Sequence, residues 1–385
     1  MPFASCTLTI KSIKNENKGK LIANYQLVVS GEKKFLLDDY SAPKPPFMQI
    51  IKGESGEQII TFLNIYKNGI YFYNYENGVF IKTIEYEREG PDGILAFAGY
   101  YIKNMDSIYV YNKAKIELLL TDSSGHIKQR ISLKDNRDAD YTWAMYFPQY
   151  EFSTVNPLFE ANGKLLMTGM QPFSVVDSLI SNFHFMACVD FAYRNVDFIY
   201  TYPEELYGSC AIWDSPFYTQ GYPALSPTGE IIFSFPVSHD VYIAQWGIEG
   251  YENVYAGSNV AGTIRSINSV RRGSYEVIHS HFLQNDFYTG ILHDPYRKVY
   301  YRLTMPRIPD ANISTSKLEK LVGVIVMDEN FNYMGETILG PWKKWNWQNS
   351  FVNSEGLMIE FFDPDLDFEE EYLHLKILTI ENINN

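Results

Sequence analysis

The stretch Pro223-Ala224-Leu225-Ser226-Pro227-Thr228-Gly229-Glu230-Ile231-Ile232-Phe233 reads as two short strands around a tight turn. Glycine at 229 supplies the positive φ that a short hairpin needs, because it has no Cβ to clash. Ile231, Ile232 and Phe233 are β-branched or aromatic, side chains that pack well on a pleated, half-buried surface. Five other stretches repeat the pattern. They are Thr61 to Asn74, turning at Lys67-Asn68-Gly69; Gly99 to Asn112, turning at Asn104-Met105-Asp106; Pro157 to Gly169, turning at Ala161-Asn162-Gly163; Gly290 to Leu303, turning at Pro295-Tyr296-Arg297; and Phe351 to Phe361, turning at Ser354-Glu355-Gly356.

The last turn residues fall at 69, 106, 163, 229, 297 and 356, giving intervals of 37, 57, 66, 68 and 59. A propeller blade takes ~40–50 residues, and the longer intervals leave room for loop insertions. A second hairpin follows most units, turning at Tyr75 to Gly78, Asp122 to Gly125, Tyr193 to Asn195, Glu249 to Tyr251 and Asp328 to Asn330. Two hairpins make the four strands of a blade. The sixth repeat runs out after one further strand, Leu373 to Ile380. Its outer strand must come from N-terminal segments such as Tyr25 to Val29 or Lys34 to Leu37. Pairing the two ends of the chain closes the ring and hides aggregation-prone edges.

The expected fold is therefore all-β: a six-bladed β-propeller of four-stranded antiparallel blades, closed by an N-terminal strand. It spans residues 21–385, with residues 1–20 as a tail. A pair of β-sandwiches or a large mixed sheet is the competing architecture. Long amphipathic helices are not expected; Pro203 to Leu206 and Ser314 to Leu321 would form a turn or two at most.

The chain has 385 residues, 46% hydrophobic and 16% aromatic, which places it among globular, β-rich proteins. Its formal net charge of -14 lacks the surplus of Lys and Arg that displaces counterions from phosphates. Nucleic acid and anionic headgroups are therefore not expected partners. No apolar run is long enough for a membrane-spanning helix. The three cysteines, Cys6, Cys188 and Cys210, form no CxxC and no disulfide framework. Cys188 and Cys210 read as buried or free thiols.

Pro223 to Phe233 resembles the TolB-type propeller repeat, P-x-x-S-P-D-G-x-x-I-x-F, with Thr228 in place of the usual Asp. Glu89-Gly90-Pro91-Asp92-Gly93-Ile94 looks like the Gly-Pro-Gly segment of six-bladed propellers of the Bacteroidota. Many of those are uncharacterised lipoproteins in families of unknown function. The resemblance implies an envelope location and a binding role, and supplies no catalytic signature. In that light Phe3-Ala4-Ser5-Cys6 is similar to the end of a lipobox, which makes Cys6 the expected lipidation site. The apolar stretch that should precede it is not in the sequence. The expected location is the periplasm or outer membrane if a signal peptide lies upstream of Met1, and the cytoplasm otherwise.

The candidate ligand-binding residues lie between the repeats. Trp143, Tyr146, Phe147 and Tyr150 precede the third, Trp213, Phe217, Tyr218 and Tyr222 the fourth, and Trp342, Trp345 and Trp347 the sixth. Rings on an exposed face stack on sugars or anchor a protein partner, and rings that plug loops onto the propeller make a satellite core. Arg271 and Arg272 precede the fifth repeat and suit a carboxylate or phosphate, or surface ion pairs. His279 and His281, at i and i+2, would face one side of a strand, but two imidazoles without a third ligand do not make a metal site. The acidic run from Asp363 to Glu371 lacks the spacing of a calcium loop and reads as a solvated loop. Nucleophile elbow, zincin, phosphate-loop and sialidase signatures are missing.

Two functions follow. One is a non-catalytic envelope propeller, a monomer, recognising a protein, peptide or glycan through Trp143, Tyr150, Trp213, Tyr218, Trp345, Arg271 and Arg272. The other is a propeller hydrolase or lyase acting on a sugar or lactone. Its channel-mouth carboxylates would be drawn from Asp92, Asp214 and Glu276. Neither reading calls for a cofactor or a metal.

Overall fold

Six four-stranded antiparallel sheets make up a six-bladed propeller in the computed structural model. The structure describes residues 10–134, 147–171, 182–208, 211, 213, 215–267, 274–365 and 370–384. Blade 1 comprises Met48–Lys52, Gln58–Asn64, Gly69–Asn74 and Phe80–Glu85, from the axis outward. Blade 2 runs from Phe97–Asn104 to Ile127–Ser132, blade 3 from Phe159–Ala161 to Asn195–Thr201, and blade 4 from Tyr222–Leu225 to Glu252–Tyr255. Blade 5 runs from Phe287–Asp294 to Tyr333–Pro341.

Blade 6 joins the two ends of the chain. Trp345–Val352, Leu357–Phe361 and Tyr372–Asn382 take the N-terminal strand Tyr25–Leu36 as their outer partner. Tyr25 pairs with Asn382 and Leu36 with Tyr372, with one register break between Val29 and Gly31. The two N-terminal segments expected from the sequence are thus one long strand.

The turns obey the chemistry expected of them. Asn162 and Gly163 both adopt positive φ, at 52° and 74°, and Gly229 stands at 88°. Thr228 donates from Oγ1 to Glu230 Oε2 at 2.8 Å, and Ser226 Oγ accepts from the Glu230 amide at 2.9 Å. In blade 1 the expected register is off by one strand. Thr61 to Asn74 covers its second and third strands, whereas the other five units cover first and second strands. The true first hairpin turns between Lys52 and Gln58, which accounts for the short interval of 37.

Two features lie outside the expected pattern. Tyr275–Gln284 is an α-helix, so His279 and His281 are not strand neighbours. At 3.6 residues per turn, positions i and i+2 point to nearly opposite faces. His279 Nε2 meets the Thr315 carbonyl at 2.9 Å and His281 Nε2 the Arg265 carbonyl at 2.6 Å. Secondly, the segment before the outer strand of blade 6 lies on the propeller. Ser12–Ile13 pairs with Ile264–Arg265, and Asn15 Nδ2 donates to the carbonyls of Ser258 and Ala261.

The axis is filled. Phe152 to Asn156, leading into blade 3, reaches five blades. Thr154 Oγ1 accepts from the Met48 amide of blade 1 at 3.0 Å and donates to Asn349 Oδ1 of blade 6 at 2.6 Å. The Val155 amide donates to the Gln348 carbonyl at 3.2 Å. A Cβ on Gly290 of blade 5 would come within 2.8 Å of Val155, and one on Gly99 of blade 2 within 2.6 Å of Phe152. Asn156 accepts from Thr168 Oγ1 of blade 3 at 2.8 Å. Glycine on two inner strands is what admits this plug.

Candidate functional site

Tyr150, Trp213, Tyr218 and Trp345, expected to face a ligand, are core residues. Tyr150 and Trp213 are 1% exposed, Tyr218 0% and Trp345 9%. Trp213 Nε1 donates to the Leu206 carbonyl, Tyr218 packs edge-on to Phe287, and Trp345 edge-on to Phe361. Large apolar rings on long loops gain more by docking on the propeller than by facing water. Trp143, Arg271, Arg272, Cys6 and Asp214 lie outside the described residues.

Asp92 and Glu276 do not converge. Asp92 Oδ1 accepts from the Ile127 amide at the outer strand of blade 2, and Glu276 is exposed in the first turn of the helix. The carboxyl beside the axis is Glu360, in the second strand of blade 6 and 0% exposed. It accepts from Asn346 Nδ2 and from Asn349 Nδ2, and Asn349 bonds the plug through Thr154. Burial pushes the Glu360 carboxyl up to about 7. An acid between Ile359 and Phe361 was the available sequence signal. Among the described residues no cluster of three or more His, Cys, Asp or Glu could hold a metal ion. Cys188 is a buried free thiol, raised to about 11 by burial.

Between blades 4 and 5 a charged group is sealed in. Arg302 is 0% exposed and spends all its N–H groups on blade 4. Nε donates to Ser234 Oγ at 3.0 Å, Nη1 to the carbonyls of His239 and Ala256, and Nη2 to those of Ser238, Asp240 and Phe235. The guanidinium lies 3.9 Å from the ring centroid of Tyr288, whose hydroxyl meets His239 Nδ1 at 2.7 Å. His239 Nε2 lies 3.3 Å from the Ile13 carbonyl of the N-terminal segment. Burial holds the imidazole down at about 4.

Between blades 1 and 2 the sheets part. Gln49 bridges them, its Oε1 accepting from the Ile102 amide at 2.9 Å and its Nε2 donating to the Ile102 carbonyl at 3.2 Å. Beyond this bridge a groove of about 940 Å³ opens between the first hairpins of the two blades. Ile51, Ile59, Phe72, Ile81, Ile102 and Met105 give it an apolar lining. The turn from Lys52 to Glu57 and the turn at Asn104 to Asp106 form its rim. Val79, Phe80 and Ile81, 57%, 49% and 45% exposed, carry the apolar surface out along the edge strand of blade 1. Clefts of ~300–1,000 Å³ with apolar walls and a few polar groups are the usual form of small-molecule sites.

No helix among the described residues is long and apolar enough to cross a membrane. A family model described as a domain of unknown function (DUF4221) matches residues 24–338. The match begins just before the outer strand of blade 6 and ends within blade 5. The fold is similar to the crystal structure of a DUF4221 member from Bacteroides vulgatus, with 20% identity and a TM-score of 0.76. That alignment covers 93% of this chain and 99% of the other. It is also similar to the structure of a candidate exported protein from Bacteroides fragilis, at 12% identity and a TM-score of 0.55, over 93% and 95% of the two chains. No curated protein matches.

Proposed function

Because the chain belongs to the DUF4221 family, whose function is unknown, we propose from its geometry that it is a ligand-binding propeller with its site in the groove between blades 1 and 2. One observation carries this reading: a cleft of about 940 Å³ with an apolar lining opens at a seam that is otherwise bridged by Gln49. The test is retention of small molecules from an extract of lipids and metabolites, identified by mass spectrometry after gel filtration. Ile81→Trp, at a half-exposed position, fills the groove and should abolish retention. A wild-type protein that retains nothing, or a variant that retains as much, removes the reading.

In the same proposal the propeller works at the cell envelope, held by a lipid on Cys6. Support comes from Phe3-Ala4-Ser5-Cys6 and from the fold shared with the candidate exported protein of Bacteroides fragilis. Labelled palmitate should enter the gene product in a Bacteroidota host and be lost in Cys6→Ser; equal labelling of the two would exclude it. The hydrolase or lyase alternative has one group in its favour, Glu360 with its carboxyl near 7. That group is sealed behind the plug at 0% exposure, so the binding reading stands first.

A further inference from the structure

Lys82 distinguishes this groove from a simple apolar cleft. Gln49, Thr61, Phe72 and Lys82 are register partners across the four strands of blade 1, so they share one face of the sheet. Phe72 and Lys82 both line the groove. The ammonium sits 5.1 Å from the centroid of Phe72, and its hydrogen-bond acceptor among the described residues is Met105 Sδ at 3.5 Å. A thioether is a weak acceptor. No carboxylate among the described residues lies within salt-bridge distance of Lys82 Nζ. The half-buried cation is therefore left with a ring face and a sulfur.

The other charges around the groove are placed differently. Lys103 is committed to Glu160 of blade 3 at 2.8 Å. Glu57 folds back on its own turn, accepting from the Ser55 amide at 3.0 Å. Lys52, Glu54 and Asp106 are exposed on the rim. The interior thus pairs an apolar floor with one cation in want of an anion, while the acids stand at the solvent edge.

We infer that the groove takes a monoanionic amphiphile. Its carboxylate pairs with Lys82 and its hydrocarbon body lies along Ile51, Ile59 and Ile81. A charged hydrogen bond in a partly desolvated site is strong enough to select the anion over its neutral isostere. The inference rests on the groove being the ligand site. It adds the class of ligand and names Lys82 as the residue that selects it.

The experiment titrates the full chain, labelled at its methionine methyl groups, with decanoate and in parallel with decan-1-ol. The Met105 resonance reports occupancy of the groove and calorimetry reports affinity. Decanoate should shift Met105 saturably and bind about tenfold or more tightly than decan-1-ol. Lys82→Met should bring decanoate down to the level of the alcohol, and Lys82→Arg should restore most of the difference. A thermal melt of each variant shows whether the fold is kept. Equal affinity for acid and alcohol, or a Lys82→Met protein that still prefers the acid, overturns the inference and leaves the groove as a binding site. If neither compound moves Met105, the inference and the proposed site fall together.

Discussion

The seam between blades 4 and 5 and the seam between blades 1 and 2 are built from the same repeat and closed by different chemistry. In the first, Arg302 donates to six oxygens of blade 4, and the N-terminal segment lies over His239. In the second, Gln49 makes a two-point bridge, Tyr100 Oη donates to Thr61 Oγ1 at 2.8 Å, and beyond them a groove with apolar and charged side chains in its lining lies open. A fully used guanidinium tolerates little relaxation, because letting it go would leave buried acceptors short of donors. An apolar cleft has no such obligation and can admit a guest. On the proposed reading, the ligand enters the open seam between blades 1 and 2 rather than the axis.

The largest expected effect tests that contrast directly. Arg302→Ala should cost about 3–5 kcal/mol, because it strands buried acceptors, while Gln49→Ala should cost about 1 kcal/mol. Urea unfolding of the two variants compares the seams. Equal losses would mean that the seams are equally locked.

The pH dependence sharpens the comparison further. His239 sits at about 4 in the fold against an ordinary 6.5, so the unfolded chain binds more protons between those values. Its contribution to stability rises with pH across that window. Glu360 sits at about 7 against an ordinary 4.5, so the folded chain binds the extra proton. Its contribution falls as pH rises from 4.5 to 7. Each amounts to about 3 kcal/mol over its window, and between pH 4.5 and 6.5 the two nearly cancel. Wild-type stability should be almost flat there. His239→Gln should make stability fall with rising pH, and Glu360→Gln should make it rise. Denaturant midpoints across pH 4–7 give the slopes, and flat profiles in both variants would contradict both assignments. The smallest effect belongs to the open seam. Ile81→Trp, at 45% exposure, should change stability by no more than about 0.5 kcal/mol, and a larger loss would show that the groove wall is part of the core.

Local chemistry made the architecture readable from residues alone. Asn162-Gly163 and Thr228-Gly229 announce their turns because few residues adopt positive φ, and the β-branched runs beside them have no competing helical period. The shortage of a strand in the last repeat pointed correctly to the N-terminus. Where reading failed, the deciding contacts are distant in sequence. Blade 1 slipped because its first hairpin turns at Gly53-Glu54-Ser55-Gly56, while the stronger Asn68-Gly69 signal belongs to its second. The helix Tyr275–Gln284 was missed because its His, Phe and Val residues suit a strand equally well. Trp213 and Tyr218 resemble surface anchors in sequence, and only the packing of remote segments makes them core, while Trp345 starts the inner strand of blade 6 and packs on Phe361 of its neighbour. The groove itself has no motif. It arises from the divergence of two sheets, which no single segment encodes.

The closure of blade 6 bears on how the molecule is made. Tyr25–Leu36 is synthesised before all five complete blades, yet its partner Tyr372–Asn382 is synthesised after them. Until then the early strand has no partner strand in its own sheet, and the five complete blades form an open arc rather than a ring. Pairings this remote in sequence are slow to nucleate. Translation that stops short of Tyr372 therefore yields not a slightly shorter propeller but an unclosed one, with both of its ends available to a neighbouring chain.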